Sequence, residues 1–166
     1  GTPIQHQQCP WCGQAMDYNN YSVESAGVGL PSGTQELFIR CSGLTCPFSK
    51  GSSGRLPIFV VDEDIYRRRP SFLIATVDKF ANLPWNPDGV ASLFNVDSYD
   101  RPPELIIQDE LHLISGPLGT LTGLYESAIE RLCRGLDGSG PPPKIIASTA
   151  TIRKADIQCR TLFDRP

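Results

Sequence analysis

The chain has 166 residues, of which 40% are hydrophobic, so it is large enough for one ordinary domain or for a small module beside a larger one. Its net charge is −3 at pH 7, so the chain as a whole lacks the excess positive charge that attracts nucleic acid. Any contact with nucleic acid would need a local basic patch. No apolar run approaches the roughly 20 residues of a transmembrane helix, and no secretory signal opens the chain. These features predict a cytoplasmic protein without a membrane partner.

Two close pairs of cysteines stand in the first third of the chain, Cys9 and Cys12 as C-x₂-C, and Cys41 and Cys46 as C-x₄-C. Gly13 follows the first pair and permits a tight turn that brings backbone amides towards the sulfur atoms. This spacing is typical of a zinc ribbon, in which each loop supplies two ligands to a tetrahedral Zn²⁺. The metal would replace the core that so short a segment cannot build, which predicts a structural zinc site.

Two disulfides, or a redox-active C-x-x-C pair, are the alternatives to zinc. Disulfides are disfavoured without a secretory signal, and a redox pair would need a strand–helix context that the sequence lacks here. His6 is an alternative ligand, although a histidine near a terminus is more often a solvated side chain. Cys133 and Cys159 stand singly in predicted helices, and we interpret them as small buried apolar residues.

A hairpin or flexible loop is predicted between the two cysteine pairs, and residues 36–40 are predicted to form a strand that leads to Cys41. The run K-G-S-S-G-R at 50–55 is typical of a linker, so the boundary between the modules 1–55 and 56–166 is placed there.

Strands, helices and loops alternate in the predicted second module. Residues 56–61 predict a strand, the next helix ends at Pro70, and another strand begins at Phe72. A later helix follows the glycine-rich run 115–123, and its apolar stripe consists of Leu121, Leu124, Ala128, Ile129 and Leu132. Residues 153–162 are predicted to form the last helix.

The most informative stretch is L-I-I-Q-D-E-L-H at 105–112, a short apolar run that ends abruptly in Asp109 and Glu110. It is typical of a buried parallel strand whose carboxyl end opens onto a site. A second such strand, K-I-I-A-S-T-A-T at 144–151, ends in small hydroxyl residues. In this layout Asp109 would hold Mg²⁺, and Glu110 would orient and deprotonate a water molecule. The alternative is a strand end at which the two carboxylates only cap the following turn.

These segments resemble the motifs of a helicase family. Residues 105–114 are similar to motif II, in its DExH variant, of superfamily 2 (DExD/H-box) helicases and translocases, and T-A-T at 149–151 resembles motif III. F-L-I-A-T-V-D-K-F at 72–80 resembles motif Ib, and the three motifs follow the family order. The resemblance covers residues 58–164, and the run at 108–126 most resembles the helicase-like proteins of bacterial DISARM anti-phage systems.

The resemblance implies an α/β fold, namely a partial RecA-like parallel sheet with flanking helices, in addition to the small N-terminal Cys₄ zinc-ribbon module. It implies that Asp109 binds the Mg²⁺ of ATP and that Glu110 is the catalytic base. His112, Thr149 and Thr151 would couple hydrolysis to strand movement.

Two further residues take a role from the resemblance. Thr76 and Lys79 would contact the backbone of DNA or RNA without reading its sequence. Outside the family context, a threonine immediately before a helix is simply an N-cap.

No G-x-x-x-x-G-K-[ST] phosphate-binding loop occurs in the chain. The family pattern therefore predicts a fragment of the first helicase lobe that needs the remaining lobes and is not an efficient ATPase alone. A zinc-ribbon module that binds nucleic acid or protein, on a catalytically idle α/β domain, is the main alternative. A metal-dependent hydrolase with Asp109, Glu110 and His112 as ligands is a third, disfavoured because H-E-x-x-H is missing.

Overall fold

The computed structural model describes residues 2–27, 30–51, 54–82, 85–94, 101–111, 116–135 and 137–148, together with 157 and 160. It is a mixed α/β protein with two compact units, Gly1–Pro70 and Ser71–Pro166. None of the helices in these described ranges has both the length and the apolar character needed to cross a membrane.

The first unit is built on an antiparallel hairpin of β1 (Tyr21–Ser25) and β2 (Gln35–Ile39). A 3-10 turn precedes β1, and its buried Asn20 donates a hydrogen bond to the carbonyl of Arg40, at 2.7 Å. This bond fixes the turn against the end of β2. The structure thus shows the hairpin, one of the two alternatives predicted for this segment, and confirms the strand that leads to Cys41.

Residues 56–61 do not form the strand predicted for them. The Leu56 amide donates to the carbonyl of Ile39 at 2.9 Å, but Pro57 has no amide hydrogen with which to continue a ladder. The apolar side chains Leu56, Ile58 and Val60 instead pack into the core of the first unit. The strand prediction is therefore wrong. The apolar residues of this segment are explained by their packing on the core, and they do not pair with a neighbouring strand.

Helix α1 (Asp62–Arg68) ends before Pro70, as predicted, with Arg69 in the left-handed region at a φ of 47°. It is held on the hairpin by two hydrogen bonds from Arg68 to Glu36, each 2.6 Å long. The first compact unit consequently extends to Pro70, beyond the boundary predicted after residue 55. The assignment of the two predicted modules to a zinc ribbon and a RecA-like lobe stays a prediction.

The second unit contains a parallel pair of strands together with helices. In the parallel pair, Leu105 is opposite Lys144 and Gln108 is opposite Ala147, so both strands end at the same edge. This confirms the prediction that the two apolar runs are neighbouring parallel strands. The predicted burial is wrong, because the side chains of both strands are exposed or half-buried in this chain. The elements are α2 (Pro87–Leu93), β3 (Leu105–Gln108), α3 (Gly116–Cys133) and β4 (Lys144–Ala147).

The strand predicted from Phe72 is not formed. Residues 71–76 have no regular structure, and the side chains of Phe72 and Ile74 are 73% and 84% exposed. A strand needs a hydrogen-bonding neighbour, and none of the described strands pairs with this run. Thr76 is followed by a 3-10 helix over Val77–Asn82.

Helix α3 is longer than predicted, because the glycine-rich run from Gly116 is already helical. Its stripe is also displaced from the predicted one, since Leu121 and Leu124 are exposed. The buried positions of its described side chains are Thr122, Ile129 and Cys133. The burial of Cys133 confirms its interpretation as a small apolar residue.

Candidate metal centre and strand-end site

The four predicted ligands of the first unit converge on one point. The Sγ atoms of Cys9, Cys12, Cys41 and Cys46 all lie within 4.8 Å of one another, and those of Cys12 and Cys41 are 3.6 Å apart. A tetrahedral Zn²⁺ with bonds of about 2.3 Å would place its sulfur ligands ~3.8 Å apart. The arrangement can therefore hold a metal ion such as zinc. His6 is not in this group; its backbone amide donates to the hydroxyl of Tyr21.

The first cysteine loop is a tight turn closed by backbone hydrogen bonds. The Gly13 amide donates to the Cys9 carbonyl at 2.8 Å, and the Cys9 amide donates to the Gln14 carbonyl at 2.8 Å. Gly13 has a φ of 76°, in the left-handed region, which glycine adopts without a steric penalty. The predicted role of this glycine in the turn is confirmed.

The second cysteine loop begins where β2 ends. The Cys41 amide donates to the Phe48 carbonyl at 2.7 Å, and the Cys46 amide donates to the Gly43 carbonyl at 3.1 Å. The Gly43 amide donates to the sulfur of Cys41 at 3.2 Å. This N–H···S bond supports a thiolate at Cys41 when a cation is bound.

Burial and hydrogen bonding act differently on the four thiols. Burial raises the pKa of Cys41 to about 12 and also raises that of Cys46. Burial opposes ionisation of Cys9 as well, but the amides of Cys12 and Trp11 outweigh it and lower the pKa of that thiol. Four adjacent thiolates would repel one another, so their joint ionisation requires a cation between them.

The cysteines also form much of the apolar core of the first unit. Three of its six buried members are cysteines; the six are Cys9, Met16, Ile39, Cys41, Cys46 and Leu56. The five described cysteines are free thiols in this structure. Loss of the sulfur cluster would therefore remove the centre of the unit as well as a ligand set.

A second cluster lies where β3 and β4 end together. The Ser148 hydroxyl donates to Oδ1 of Asp109, and the Glu110 amide donates to the same oxygen at 3.0 Å. Both carboxylate residues are exposed to solvent. The hydroxyl of Ser148, and secondarily the Glu110 amide, lower the pKa of Asp109, so this group is an anion at neutral pH.

The backbone just after β3 turns sharply. Glu110 has a φ of 55°, a conformation that non-glycine residues adopt uncommonly. The next residue, Leu111, is completely buried, and its amide donates to the Ser148 carbonyl at 3.0 Å. Leu111 therefore anchors the turn, which presents Asp109 and Glu110 to solvent at the strand end.

The other residues of the predicted site are only partly described. Thr76 and Lys79 are exposed and lie in one turn, in which the Lys79 amide donates to the Thr76 carbonyl at 3.0 Å. His112, Thr149 and Thr151 lie outside the described residues, as do Cys159 and most of the helix predicted over 153–162. The contacts to nucleotide and nucleic acid stay predictions.

Ser148 is not among the site residues predicted from the sequence, although it is the first of the small hydroxyl residues at the end of the predicted strand 144–151. The strand register places Gln108 opposite Ala147, and one further step places Asp109 opposite Ser148. A hydroxyl at that position reaches the carboxylate directly.

These features together define a mixed α/β protein with a four-cysteine centre that can hold a metal ion. The chain is similar to the DISARM protein DrmA of Bacillus paralicheniformis, with 36% identity over a 192-residue alignment that spans 95% of this chain. The alignment covers only 16% of the length of that relative. This similarity supports a relationship to DISARM proteins. Neither a family model nor a solved structure matches the chain.

Proposed function

We propose that this chain is a segment of a DISARM-type anti-phage defence protein and supplies part of an ATP-dependent helicase or translocase. The observation that carries the proposal is the shared end of β3 and β4, where Asp109 and Glu110 face solvent beside Ser148. Carboxyl ends of parallel strands are where α/β proteins bind ligands. The similarity to DrmA supports the defence context.

The carboxylates at this strand end fit a magnesium nucleotide. Mg²⁺ in phosphate-binding sites is held by one or two carboxylates together with substrate oxygens and water. In the proposed role Asp109 binds the metal ion, which when bound neutralises phosphate charge. Glu110 holds the attacking water and accepts its proton at the carboxylate.

The remaining predicted residues keep their roles within the proposal. His112, Thr149 and Thr151 connect the nucleotide state to movement of the strand ends, and Thr76 and Lys79 contact nucleic-acid phosphates. The chain lacks a phosphate-binding loop of its own, so ATP hydrolysis requires the remaining helicase lobes.

We also propose that Cys9, Cys12, Cys41 and Cys46 bind a structural Zn²⁺. The donor set consists only of sulfur atoms in two short loops, which suits tetrahedral zinc. Elemental analysis of freshly purified chain should give about one equivalent of zinc, and Cys41→Ser should abolish its retention. Cys133→Ser is the matched control, because that buried cysteine lies outside the cluster. Zinc below about half an equivalent in the unaltered chain would contradict the proposal.

The catalytic proposal is tested in the longer protein that carries this segment. Glu110→Gln should lower kcat for ATP by about 10²–10⁴-fold, because the amide cannot accept the proton. Glu104→Gln is the control, since this exposed carboxylate at the start of β3 pairs only with Arg101 at 3.4 Å among the contacts described. Unchanged turnover in the Glu110→Gln variant would overturn the catalytic role.

A binding module with no catalytic role is the second candidate. Trp11 and Leu44, in the two cysteine loops, are 67% and 98% exposed, which suits them to contact a partner. Quenching of Trp11 fluorescence by single-stranded oligonucleotides, measured in a Trp85→Phe background, would favour this candidate if ATP turnover is independent of Glu110. The absence of quenching would count against a nucleic-acid partner for these loops.

A further inference from the structure

Ser148 is fixed at the strand end by three separate hydrogen bonds. Its amide donates to the carbonyl of Gln108 at 2.9 Å, and its carbonyl accepts from the amide of Leu111 at 3.0 Å. Its hydroxyl donates to Oδ1 of Asp109. The two backbone bonds continue the link between β3 and β4 past the regular ladder, so the position of the hydroxyl is set by the sheet itself.

The two oxygen atoms of Asp109 consequently differ. Oδ1 accepts from both the Ser148 hydroxyl and the Glu110 amide, which uses the two lone-pair directions of a carboxylate oxygen. Of the described residues, none donates to Oδ2, and Asp109 is exposed. Rotation of the carboxylate would break both bonds at once. The side chain is therefore held with Oδ1 towards the protein and Oδ2 available to a ligand.

We propose that Ser148 is a positioning residue that makes Asp109 a single-atom ligand, through Oδ2, for a small hard divalent cation. Mg²⁺ demands near-ideal octahedral geometry and retains several waters, so one fixed oxygen suits it better than a freely rotating carboxylate. This inference rests on the proposed function, because it takes Asp109 as the residue that holds the metal ion.

Hydrogen-bond partners of metal ligands have measurable effects. Their removal typically weakens metal affinity by about 10–100-fold, because the ligand loses its orientation. Ser148→Ala keeps the two backbone bonds and removes only the hydroxyl. Ser148→Thr retains the hydroxyl on a side chain that strands accommodate well. The pair of variants thus separates loss of the hydrogen bond from a general disturbance of the strand end.

The experiment uses Mn²⁺ alone as a paramagnetic probe of the zinc-loaded chain. Titration should broaden the amide NMR signals of residues 108–111, and Asp109→Asn should abolish this broadening. Ser148→Ala should raise the Mn²⁺ dissociation constant at this site by about 10–100-fold, whereas Ser148→Thr should restore it to within about threefold. Ser139→Ala is the matched control, because Ser139 makes a similar hydroxyl-to-carboxylate bond, to Asp137 at 2.7 Å, in a separate exposed loop.

The outcomes distinguish the positioning role of Ser148 from the role of Asp109 as a cation ligand. Broadening that depends on Asp109 but is equally strong in Ser148→Ala would overturn the positioning role and leave the proposed function standing. Absence of broadening at residues 108–111 in the unaltered chain would overturn Asp109 as a cation ligand, and the role of Ser148 with it. Weakening in Ser148→Thr as large as in Ser148→Ala would show that strand-end packing, not the hydroxyl, sets the affinity.

Discussion

Glu36 is a buried carboxylate that joins three segments of the first unit. It lies on β2 and accepts hydrogen bonds from Arg68 of α1, while Arg55 approaches it at 3.0 Å. Its side chain is fully buried, whereas the two arginines are partly exposed. A buried charge is stable only when it is paired, so the first unit depends on this cluster to hold α1 against the hairpin.

Glu36→Gln should lower the free energy of unfolding by about 2–4 kcal/mol, because the neutral amide cannot compensate both guanidinium groups. Glu24→Gln is the control, since Glu24 pairs with Arg40 on a more exposed face of the same hairpin. The control should lose about 1 kcal/mol or less. Urea denaturation at pH 7 measures both variants, and equal losses would show that burial of Glu36 has no special importance.

The same carboxylate predicts a defined sensitivity to acid. Two hydrogen bonds from Arg68, with support from Arg55, lower the pKa of Glu36 from its ordinary value of 4.5 to about 2. Because the pKa is lower in the folded state, the stabilisation is complete above about pH 4.5 and is lost as the pH falls towards 2.

The difference in unfolding free energy between the unaltered chain and Glu36→Gln isolates this effect, since both share the cysteine centre. It should be constant from pH 7 to about 5 and then shrink by up to ~1.4 kcal/mol per pH unit. A difference that is the same at pH 3 and pH 6 would contradict the assignment.

At the scale of elements, the sequence predicts best those features that depend on local spacing. The hairpin, α1 and the parallel pairing of the strands that begin at Leu105 and Lys144 are found, because turn residues and short apolar runs determine them locally, but the predicted burial of these strands is not. The strands expected at 56–61 and from Phe72 are absent. An apolar run becomes a strand only when a neighbour completes its hydrogen bonds, and the sequence of the run does not report the neighbour.

The first cysteine loop allows a direct test of local backbone geometry. Gly13→Ala should destabilise the first unit by about 1 kcal/mol and accelerate zinc loss to a chelator, because alanine resists the left-handed φ of 76°. An added Cβ there would meet nothing within 4 Å, so backbone strain is the expected cause. Gly51→Ala, where space is also open and φ is not in that region, should be nearly neutral. Zinc-release rates report the result; equal rates in the two variants would contradict it.

At the scale of the whole molecule, the second unit exposes apolar surface that a parallel sheet normally covers. The side chains of Ile107 and Ile146, on neighbouring strands, are 61% and 45% exposed, and Phe72 and Ile74 are more so. Parallel sheets usually have both faces covered. The chain aligns with 16% of the length of its DrmA relative. If it is a segment of a longer protein, as proposed, other parts of that protein would cover these side chains. Long-range partners of this kind are not encoded in the local pattern of the strands themselves.

The two compact units should respond differently to metal removal, because the cysteine cluster lies in the core of only one of them. A zinc chelator should abolish hydrogen-exchange protection of the Cys41 and Leu56 amides, whose bonds to Phe48 and Ile39 depend on that core. The Leu111 and Ser148 amides, which join β3 to β4, should keep their protection.

A Cys9→Ser/Cys12→Ser variant, which cannot hold the metal, is the control and should show no further change with chelator. Protection lost from both pairs of amides together would mean that the second unit also depends on the metal. Protection retained at Cys41 and Leu56 would mean that the apolar packing of Ile39 and Leu56 suffices without a cation. Selective loss at the first pair is expected, because three of the six buried core residues of the first unit are cysteines of the cluster proposed to hold the metal.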